Sequence, residues 1–240
     1  MEPPRTHAVV LAGGEGRRLR PFTWVIPKPL VPVEDMPILE ILLRQLARDG
    51  FDRVTLAVGY LAALIRAYCG DGSQWGLTVD YLAEETPLGT AGFLGNLSAG
   101  DADRILVVNG DTLTDLDFAE FSRSHDPGDA ASICAYPRSV EIDFGILHFD
   151  DEKRLVRYEE KPVLSHHVSM GVNVLSRWAV DRYVRPGERL DMPELLCRMT
   201  DDDATVRVVS PDIFWLDLGR PEDLERANEV FRVERARFLP

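Results

Sequence analysis

Cysteine is scarce in this chain, with only three among 240 residues. Cys69, Cys134 and Cys197 are far apart and lack metal-ligand spacing, so we expect three buried thiols in a reducing compartment. No apolar run approaches the length that spans a bilayer, and the N-terminus has no basic segment followed by a long apolar core. These absences predict a cytoplasmic protein without a membrane anchor.

Positive charge is also in deficit. The chain has 27 basic and 40 acidic residues, a formal net charge of −13, which argues against general binding to nucleic acids or anionic membranes. With 45% hydrophobic residues the chain can bury a substantial core. We expect one domain over residues 1–240, because neither a low-complexity linker nor an internal repeat interrupts it.

Apolar patterns alternate between strand and helix along the chain. Alternation of this kind predicts a Rossmann-like, three-layer α/β/α fold with a mostly parallel mixed sheet covered on both faces. The less regular region 138–174 is expected to form a small antiparallel excursion over the mouth of the functional site. The predicted strands are 7–12, 53–58, 77–82, 104–108, 131–136 and 205–209, and the predicted helices are 38–49, 61–68, 90–96 and the C-terminal 221–238.

Glycines follow the first predicted strand directly. Gly13, Gly14 and Gly16 can adopt positive φ angles and lack Cβ atoms, so backbone N–H groups can approach anionic oxygens closely. Ligands of open α/β sheets bind at the carboxyl ends of strands, where this loop begins. Positive charges in the same neighbourhood favour a triphosphate as the ligand; they are Arg17, Arg18, Arg20 and Lys28.

Two familiar phosphate loops do not match this segment. Leu19 stands where the dinucleotide fingerprint needs its third glycine, and the Gly-Lys-Ser/Thr of the P-loop is absent. For the glycines alone, a turn that merely reverses the chain is the alternative. The arginines and the Pro27-Lys-Pro29 that follow argue against it.

One run of this chain resembles the N-terminal signature of the sugar-1-phosphate nucleotidyltransferases, also called nucleotide-diphospho-sugar pyrophosphorylases: Gly13-Gly-Glu-Gly-Arg-Arg-Leu-Arg-Pro-Phe-Thr23, then Pro27-Lys-Pro-Leu-Val-Pro-Val33. The resemblance implies a GT-A-like nucleotidyltransferase fold and places Arg18 and Lys28 on the family's catalytic arginine and lysine. Arg17 stands where the family usually has a small hydroxyl residue, which is the clear departure inside the motif. The nucleotide-binding residues implied here are Leu11, Ala12, Gly13, Gly14, Gly16 and Arg17.

The segment 81–92 resembles the base-binding loop of the same family, with Glu84, Gly89 and Thr90 as nucleotide-binding residues. A structural loop in which Thr90 caps the following helix is the alternative. Many guanylyltransferases carry glutamate at the position of Glu84, whereas uridylyl- and thymidylyltransferases commonly carry glutamine. Because a carboxylate offers only acceptors and guanine presents two adjacent donors, Glu84 favours guanine. The run 70–92 also looks like bacterial guanylyltransferases for mannose- or heptose-1-phosphate.

The apolar run 105–108 ends in Asn109-Gly-Asp111. A strand-to-turn junction explains these letters in isolation. The resemblance implies instead that Asp111 and Asp217 hold a divalent metal, and oxygen ligands completed by phosphate and water suit Mg²⁺. The nearby Asp115-Leu-Asp117 is better explained as a solvated helix start than as the Asp-x-Asp motif of glycosyltransferases.

A fourth group lies in the irregular region. By the resemblance, Glu160 contacts sugar hydroxyls, Lys161 contacts the sugar phosphate and Gly145 admits the sugar ring, while Ser169 replaces a sugar-contacting asparagine. An ordinary surface ion pair is the alternative for the Glu-Lys pair. His166 and His167 are adjacent on a strand, so they point to opposite faces and are treated as surface residues.

Together these motifs imply transfer of a nucleoside monophosphate, with guanine as the favoured base, from a nucleoside triphosphate to a sugar 1-phosphate. Three alternatives remain: another base within the same family, a glycosyltransferase that uses a finished nucleotide sugar, and a non-catalytic family member. The last predicts loss of Arg18, Lys28, Asp111 or Asp217, and all four are present. We consider a homodimer compatible with these motifs. We also expect this chain to lack the C-terminal β-helix that longer relatives carry.

Overall fold

The structure, a computed structural model, describes residues 4–84 and 86–239. Short 3-10 turns at Arg17–Leu19, Phe22–Trp24 and Lys28–Leu30 follow the first strand. Within the described ranges the strands are β1 (Thr6–Ala12), β2 (Pro32–Val33), β3 (Met36–Pro37), β4 (Arg53–Val58), β5 (Thr78–Ala83), β6 (Arg104–Asn109), β7 (Thr112–Thr114), β8 (Ala131–Glu141), β9 (Ile146–Phe149), β10 (Leu155–Glu159), β11 (Val163–Ser176), β12 (Val206–Val209) and β13 (Trp215–Asp217). The helices are α1 (Ile38–Arg48), α2 (Ala62–Cys69), α3 (Gly89–Gly92), α4 (Phe118–Arg123), α5 (Arg177–Tyr183), α6 (Met192–Asp201) and α7 (Pro221–Phe238).

A seven-stranded mixed sheet forms the centre of the fold, in the order β12-β8-β11-β6-β1-β4-β5. Strand β1 pairs in parallel with β4 and β6, β4 pairs in parallel with β5, and β12 pairs in parallel with β8. Strand β11 alone runs antiparallel, between β6 and β8. The predicted mostly parallel α/β sheet is therefore confirmed.

Apolar side chains cover both faces of this sheet, as the near-continuous apolar sequences of β1, β4 and β6 predict. Helices α1, α2 and α4 pack on one face, and α5 and α6 pack on the other. Helix α7 packs with α1, β7 and β13 in a third cluster around Phe231 and Phe238, which are fully buried. Complete burial of such a side chain contributes about 1.5–3 kcal/mol, so α7 holds β13 firmly in place.

The antiparallel excursion expected at 138–174 is present, but its inner part belongs to the main sheet. The outer half of β8 pairs with β11 from Glu141 opposite Val163, and β9 and β10 form a separate hairpin. Residues Val172–Ser176 pair with β6 inside the sheet. Between Ser169 and Asn173 the pairing of β11 with β8 shifts register, and Gly171 takes a φ of 72° there.

Two other expectations need correction. The helix predicted at 90–96 is a four-residue α3 followed by a 3-10 turn, Phe93–Asn96. Gly92 and Gly95 pass so close to the backbone of residues 185–190 that this segment packs against it as a short helix and a turn instead of one straight helix. Helices α5 and α6 were not predicted. The predicted C-terminal helix 221–238 is confirmed as α7, which starts with Pro221 and carries Glu222 and Asp223 in its first turn.

The expectation of three buried thiols is wrong for one cysteine. Cys69 and Cys134 are buried, and burial raises the pKa of each thiol to about 12. Cys197 is exposed, on the outer side of α6. Across the described ranges, none of the helices combines the length and apolar character required to cross a bilayer.

Candidate active site

Two parallel strands end side by side and define the site. Leu11 of β1 lies opposite Asn109 of β6, so the glycine loop and the Gly110-Asp111 turn leave the same edge of the sheet. The Gly110 N–H donates to the Leu11 carbonyl at 2.9 Å. A Cβ on Gly110 would overlap that carbonyl oxygen, so only glycine lets Asp111 approach the loop so closely.

The glycine loop is packed directly against Lys28. Gly16 has a φ of 60°, and a Cβ there would lie 2.9 Å from Lys28 Cβ and 2.9 Å from Thr23 Cγ2. The Thr23 hydroxyl donates to the Gly16 carbonyl at 2.8 Å, and Leu19 is buried beneath the loop. Two contacts thus hold the loop beside the lysine: the close packing of Gly16 on Lys28 and the hydrogen bond from Thr23 to Gly16.

Arg17, the departure from the family motif, is engaged by a neighbouring carboxylate. Its Nε donates to Glu15 Oε2 at 2.7 Å, and its side chain is 73% exposed. Arg20 contacts the same carboxylate at 3.4 Å. Glu15 therefore offsets two of the four positive charges near the glycine loop and leaves those of Arg18 and Lys28.

Lys28, Asp111 and Asp217 meet at the centre of the site. Lys28 Nζ forms an ion pair with Asp111 Oδ2, and the two side chains are only 12% and 19% exposed. Burial raises the pKa of the Asp217 carboxyl, and the adjacent Asp111 carboxylate raises it further, while Lys28 and Arg18 oppose this change. The Leu218 N–H donates to the Asp111 carbonyl at 2.9 Å, which fixes the end of β13 against the end of β6.

Asp111 and Asp217 are the residues that could hold a divalent metal. No cluster of three or more His, Cys, Asp or Glu side chains with metal-binding geometry occurs in 4–84 or 86–239. A cation here would have two protein carboxylates and would take its other oxygens from phosphate and water, as Mg²⁺ commonly does. Two adjacent, largely buried carboxylates with one lysine form a donor set of this kind.

Two cavities open on this cluster. The smaller, about 190 Å³, is lined by residues of the glycine loop and of the Asn109-Gly-Asp turn together with Lys28 and Thr90. The larger, about 440 Å³, is lined by Arg18 and Asp217 and extends between β8 and the start of α7. Arg18 lies against Gly219, where an added Cβ would be 3.3 Å from its Cζ.

Of the predicted base-binding residues, Thr90 lines the smaller cavity, and Glu84 and Gly89 lie in the segment that leads to it. Glu84 Oε1 accepts a hydrogen bond from the Leu88 N–H at 3.2 Å, and burial raises the pKa of its carboxyl. Gly89 has a φ of 81°, and a Cβ there would lie 2.6 Å from Asp191 Oδ1. A side chain at this position would therefore displace α6 from the loop.

Thr90 caps a different helix from the one expected. Its hydroxyl accepts from the Met192 N–H at 2.7 Å, at the start of α6, while Asp191 Oδ1 accepts from the Thr90 N–H at 3.0 Å. This reciprocal pair joins α3 to α6. Thr90 is thus held at the border of the smaller cavity by contacts with α6.

The predicted sugar-binding residues lie on the excursion, outside the lining of the larger cavity. Gly145 and Glu160 share one contact: Tyr158 Oη donates to Glu160 Oε2 at 2.9 Å, and a Cβ on Gly145 would overlap that hydroxyl. Lys161 has a positive φ of 42° at the turn into β11. Ser169 Oγ accepts from the Gly171 N–H at 3.3 Å, which engages it in the register shift.

The remaining sequence motifs have structural roles. Asp117 caps α4 by accepting from the Glu120 N–H at 2.6 Å, as expected of a helix start. Asp115 is not simply solvated, because it accepts from the Phe214 N–H at 2.7 Å and pairs with Arg237. His166 and His167 are exposed, as expected.

Sequence reasoning missed several residues that line the larger cavity. Trp215 lies two residues before Asp217 on β13, so both side chains face the same way, a spacing that could have identified it. Tyr136 packs against it, with ring centroids 5.5 Å apart. Arg138, Arg220 and Arg226 carry no motif, and only the fold brings them together.

A model of the nucleotidyl transferase family matches residues 7–233, and the chain belongs to this family. It is 36% identical over 230 residues to a mannose-1-phosphate guanylyltransferase of Mycobacterium tuberculosis, covering 92% of this chain and 63% of that protein. It is 30% identical to a UTP–glucose-1-phosphate uridylyltransferase of Synechocystis sp., covering 92% of this chain and 62% of that protein. The chain thus spans about three fifths of the length of these two relatives.

Among solved structures, HddC from Yersinia pseudotuberculosis has a similar fold. The two chains superpose with a TM-score of 0.73 at 28% identity, covering 94% of this chain and 99% of HddC. HddC has also been solved in complex with GMP-PN, and that structure superposes with a TM-score of 0.71. The similarity extends over nearly all of both chains.

Proposed function

We propose that this chain transfers guanylate from GTP to the phosphate of a sugar 1-phosphate, forming a nucleotide sugar and pyrophosphate. The observation that carries the proposal is the convergence of Lys28, Asp111 and Asp217 beside a glycine loop, with one cavity on each side. Two substrates that meet at one phosphorus need this arrangement. The names of the two enzyme relatives support the reaction class.

In the proposed reaction, a phosphate oxygen of the sugar 1-phosphate attacks the α-phosphorus of GTP. A new P–O bond forms, the bond from the α-phosphorus to the oxygen bridging to the β-phosphorus breaks, and that oxygen takes the electron pair as pyrophosphate leaves. The attacking oxygen is already anionic near pH 7, so no general base is required. Catalysis then comes from positioning and from electrostatic stabilisation of the transferred group.

The predicted catalytic and sugar-phosphate-binding residues have these roles in the scheme. Lys28, Arg18 and the loop N–H groups hold the triphosphate; Lys28 lines the smaller cavity and Arg18 lines the larger one. Lys161 and Glu160, on the excursion, bind the phosphate and hydroxyls of the sugar, with Gly145 and Ser169 nearby.

Asp111 and Asp217 are proposed to hold Mg²⁺ together with phosphate oxygens and water. When bound, the cation neutralises negative charge on the phosphates of both substrates. The two carboxylates would otherwise repel those phosphates, so the donor set and the proposed ligand are compatible.

Glu84 supports guanine as the base. Its carboxylate, on the rim of the base loop, can accept hydrogen bonds from the two adjacent donors of guanine, whereas uracil and thymine present a donor between two acceptors. The complex of HddC with GMP-PN is consistent with guanine in this fold, whereas the Synechocystis relative is named for UTP. The base is therefore the part of the proposal that needs direct measurement.

A pyrophosphate-release assay tests the proposal. The protein is incubated with MgCl₂ and each of GTP, ATP, UTP, CTP and dTTP, crossed with a panel of sugar 1-phosphates that includes mannose, heptose and glucose forms. We expect release with GTP and at least one sugar phosphate, with the nucleotide sugar as co-product. Activity with UTP or dTTP and none with GTP would overturn the guanine assignment, and no release in any combination would overturn the reaction.

A further inference from the structure

The larger cavity holds more positive charge than the proposed reaction requires. It is about 440 Å³, lies between β8 and the start of α7, and is open to solvent. On β8 and on β13, alternation turns aromatic and charged side chains to the same face, so Tyr136 and Trp215 form a wall beside the charges. Four guanidinium groups line it: Arg18, Arg138, Arg220 and Arg226.

These arginines outnumber the carboxylates of the cavity, Asp217 and Asp223, in a chain whose net charge is −13. Within 4–84 and 86–239, the side chains of Arg138, Arg220 and Arg226 have no hydrogen-bond or ion-pair partner. The far end of α7 differs, because Arg235 and Arg237 there pair with Asp35 and Asp115. Unpaired arginines around one concave surface of an acidic protein indicate an anionic ligand.

The position of the cavity identifies the ligand as the acceptor of the transfer. The triphosphate side of the site is the smaller cavity at Lys28 and Asp111, and the arginine cavity meets it at Asp217. Arg18 lies against Gly219, next to Asp217, so one guanidinium already faces the reacting phosphate. Arg226 lies six residues beyond Arg220, about 9 Å along α7, so the positive charge of the cavity extends beyond the group nearest the reacting phosphate.

We propose that the preferred acceptor is a sugar 1-phosphate that carries a second anionic group, a phosphate or a carboxylate, and that Arg138 and Arg226 bind this second group. The inference rests on the proposed function, since it takes the ligand to be the acceptor. The aromatic wall of Tyr136 and Trp215 provides the apolar surface against which a sugar ring packs between the two anions. Arg138 belongs to the antiparallel strand pair β8/β11, whose outer end leads to Glu160 and Lys161. The same strand pair therefore contacts both ends of the sugar.

Calorimetric titration tests this proposal directly. The protein, with MgCl₂, is titrated with mannose 1-phosphate, mannose 1,6-bisphosphate and mannuronic acid 1-phosphate, and then with the corresponding glucose series. A guanidinium bonded to a second anion is expected to tighten binding about tenfold to a hundredfold over the singly charged sugar phosphate. The bisphosphate and uronic arms distinguish a phosphate from a carboxylate as the second group.

Variants of the cavity arginines test which residues bind the second anionic group. Arg138→Gln and Arg226→Gln should reduce the ratio of dissociation constants between singly and doubly charged ligands toward one. Arg232→Gln is the matched control, because Arg232 is an exposed arginine of α7 outside the cavity, and it should keep the wild-type ratio. Unchanged melting temperatures would establish that all three variants fold.

Equal affinity of the wild type for all three ligands would overturn the proposal, as would an equal weakening of all three ligands in Arg138→Gln. Binding is measured without turnover, which separates this proposal from the proposed function. A protein that shows the predicted ratio but releases no pyrophosphate with any substrate pair would refute the transfer reaction and retain the anion subsite. A protein that turns over with no preference for a second charge would do the reverse.

Discussion

Lys28 offers the sharpest test of the site, through the substitution Lys28→Ala. In the structure its ammonium is the partner of Asp111 and lies beside Asp217, with side-chain exposures of 12% for Lys28 and 19% for Asp111. A unit charge about 4 Å from a phosphate oxygen contributes about 4 kcal/mol of Coulomb energy at an effective dielectric constant of 20. Part of this energy is offset by lost hydration, so about 2.7–4 kcal/mol of transition-state stabilisation is expected to disappear.

That loss corresponds to a fall in kcat of about a hundredfold to a thousandfold. Stability should fall as well, since Asp111 and Asp217 would then face each other without the lysine. Both carboxylates retain some access to solvent, so we expect a loss of about 1–3 kcal/mol, below the range for a fully buried pair. The variant should therefore fold at 25 °C and remain measurable.

The assay is coupled pyrophosphate release under saturating substrates, combined with urea denaturation of the same samples. Lys153→Ala is the matched control, because the Lys153 side chain lies over the exposed ring of Phe149 on the β9/β10 hairpin. It should change kcat less than twofold. A Lys28→Ala protein that folds, binds GTP normally and retains kcat within threefold of wild type would refute the electrostatic argument.

Three further outcomes follow from the described contacts. Glu84→Gln should lower kcat/KM for GTP by about tenfold or more and raise it for UTP, measured side by side; an unchanged GTP preference would exclude Glu84 from base recognition. Gly110→Ala should destabilise the fold by about 1–3 kcal/mol or more in urea denaturation, since its Cβ would meet a backbone carbonyl. Gly14 has open space around it, so Gly14→Ala should leave stability unchanged and raise the KM for GTP. Equal stabilities of the two variants would contradict the packing argument. Burial lowers the pKa of His7 and of His125, so these histidines take up protons in the unfolded chain at a higher pH than in the folded protein. The free energy of unfolding should therefore decline between pH 7 and pH 5, by up to about 1.4 kcal/mol per pH unit for each histidine. A flat profile over this window would show that they titrate normally.

The parts of this fold that the sequence predicted are those with strong local patterns. Strands β1, β4 and β6 are almost wholly apolar, which marks buried parallel strands, and α7 carries proline and acidic residues at its start. Helix α6 was missed although Asp191, Pro193 and Glu194 mark its start in the sequence. What the sequence does not show is the contact with Thr90, about a hundred positions away, whose hydroxyl accepts from the Met192 N–H.

The candidate site also has parts that the sequence predicted and parts that it could not predict. Asp111 and the glycine loop were predictable because each follows its own strand, and the parallel register brings the strand ends together. The engagement of Arg17 by Glu15 could not be inferred, since a residue two positions away could equally have faced solvent. Arg138 and Arg226 belong to separate elements that meet only because α7 packs beside β13, so their association depends on tertiary structure alone.

An acidic protein that is proposed to handle two anionic substrates must confine its positive charge. Most arginines at the surface are engaged by neighbouring carboxylates, as Arg17 is by Glu15 and Arg237 is by Asp115, so they add little attraction for a phosphate. The unshared guanidinium groups that remain around the larger cavity therefore set the local potential at the edge where the strands end. Lys28 lies on the side of the smaller cavity, where it is paired with Asp111. The net charge of the chain and the charge of its site thus have opposite signs, and the second determines what the protein can bind.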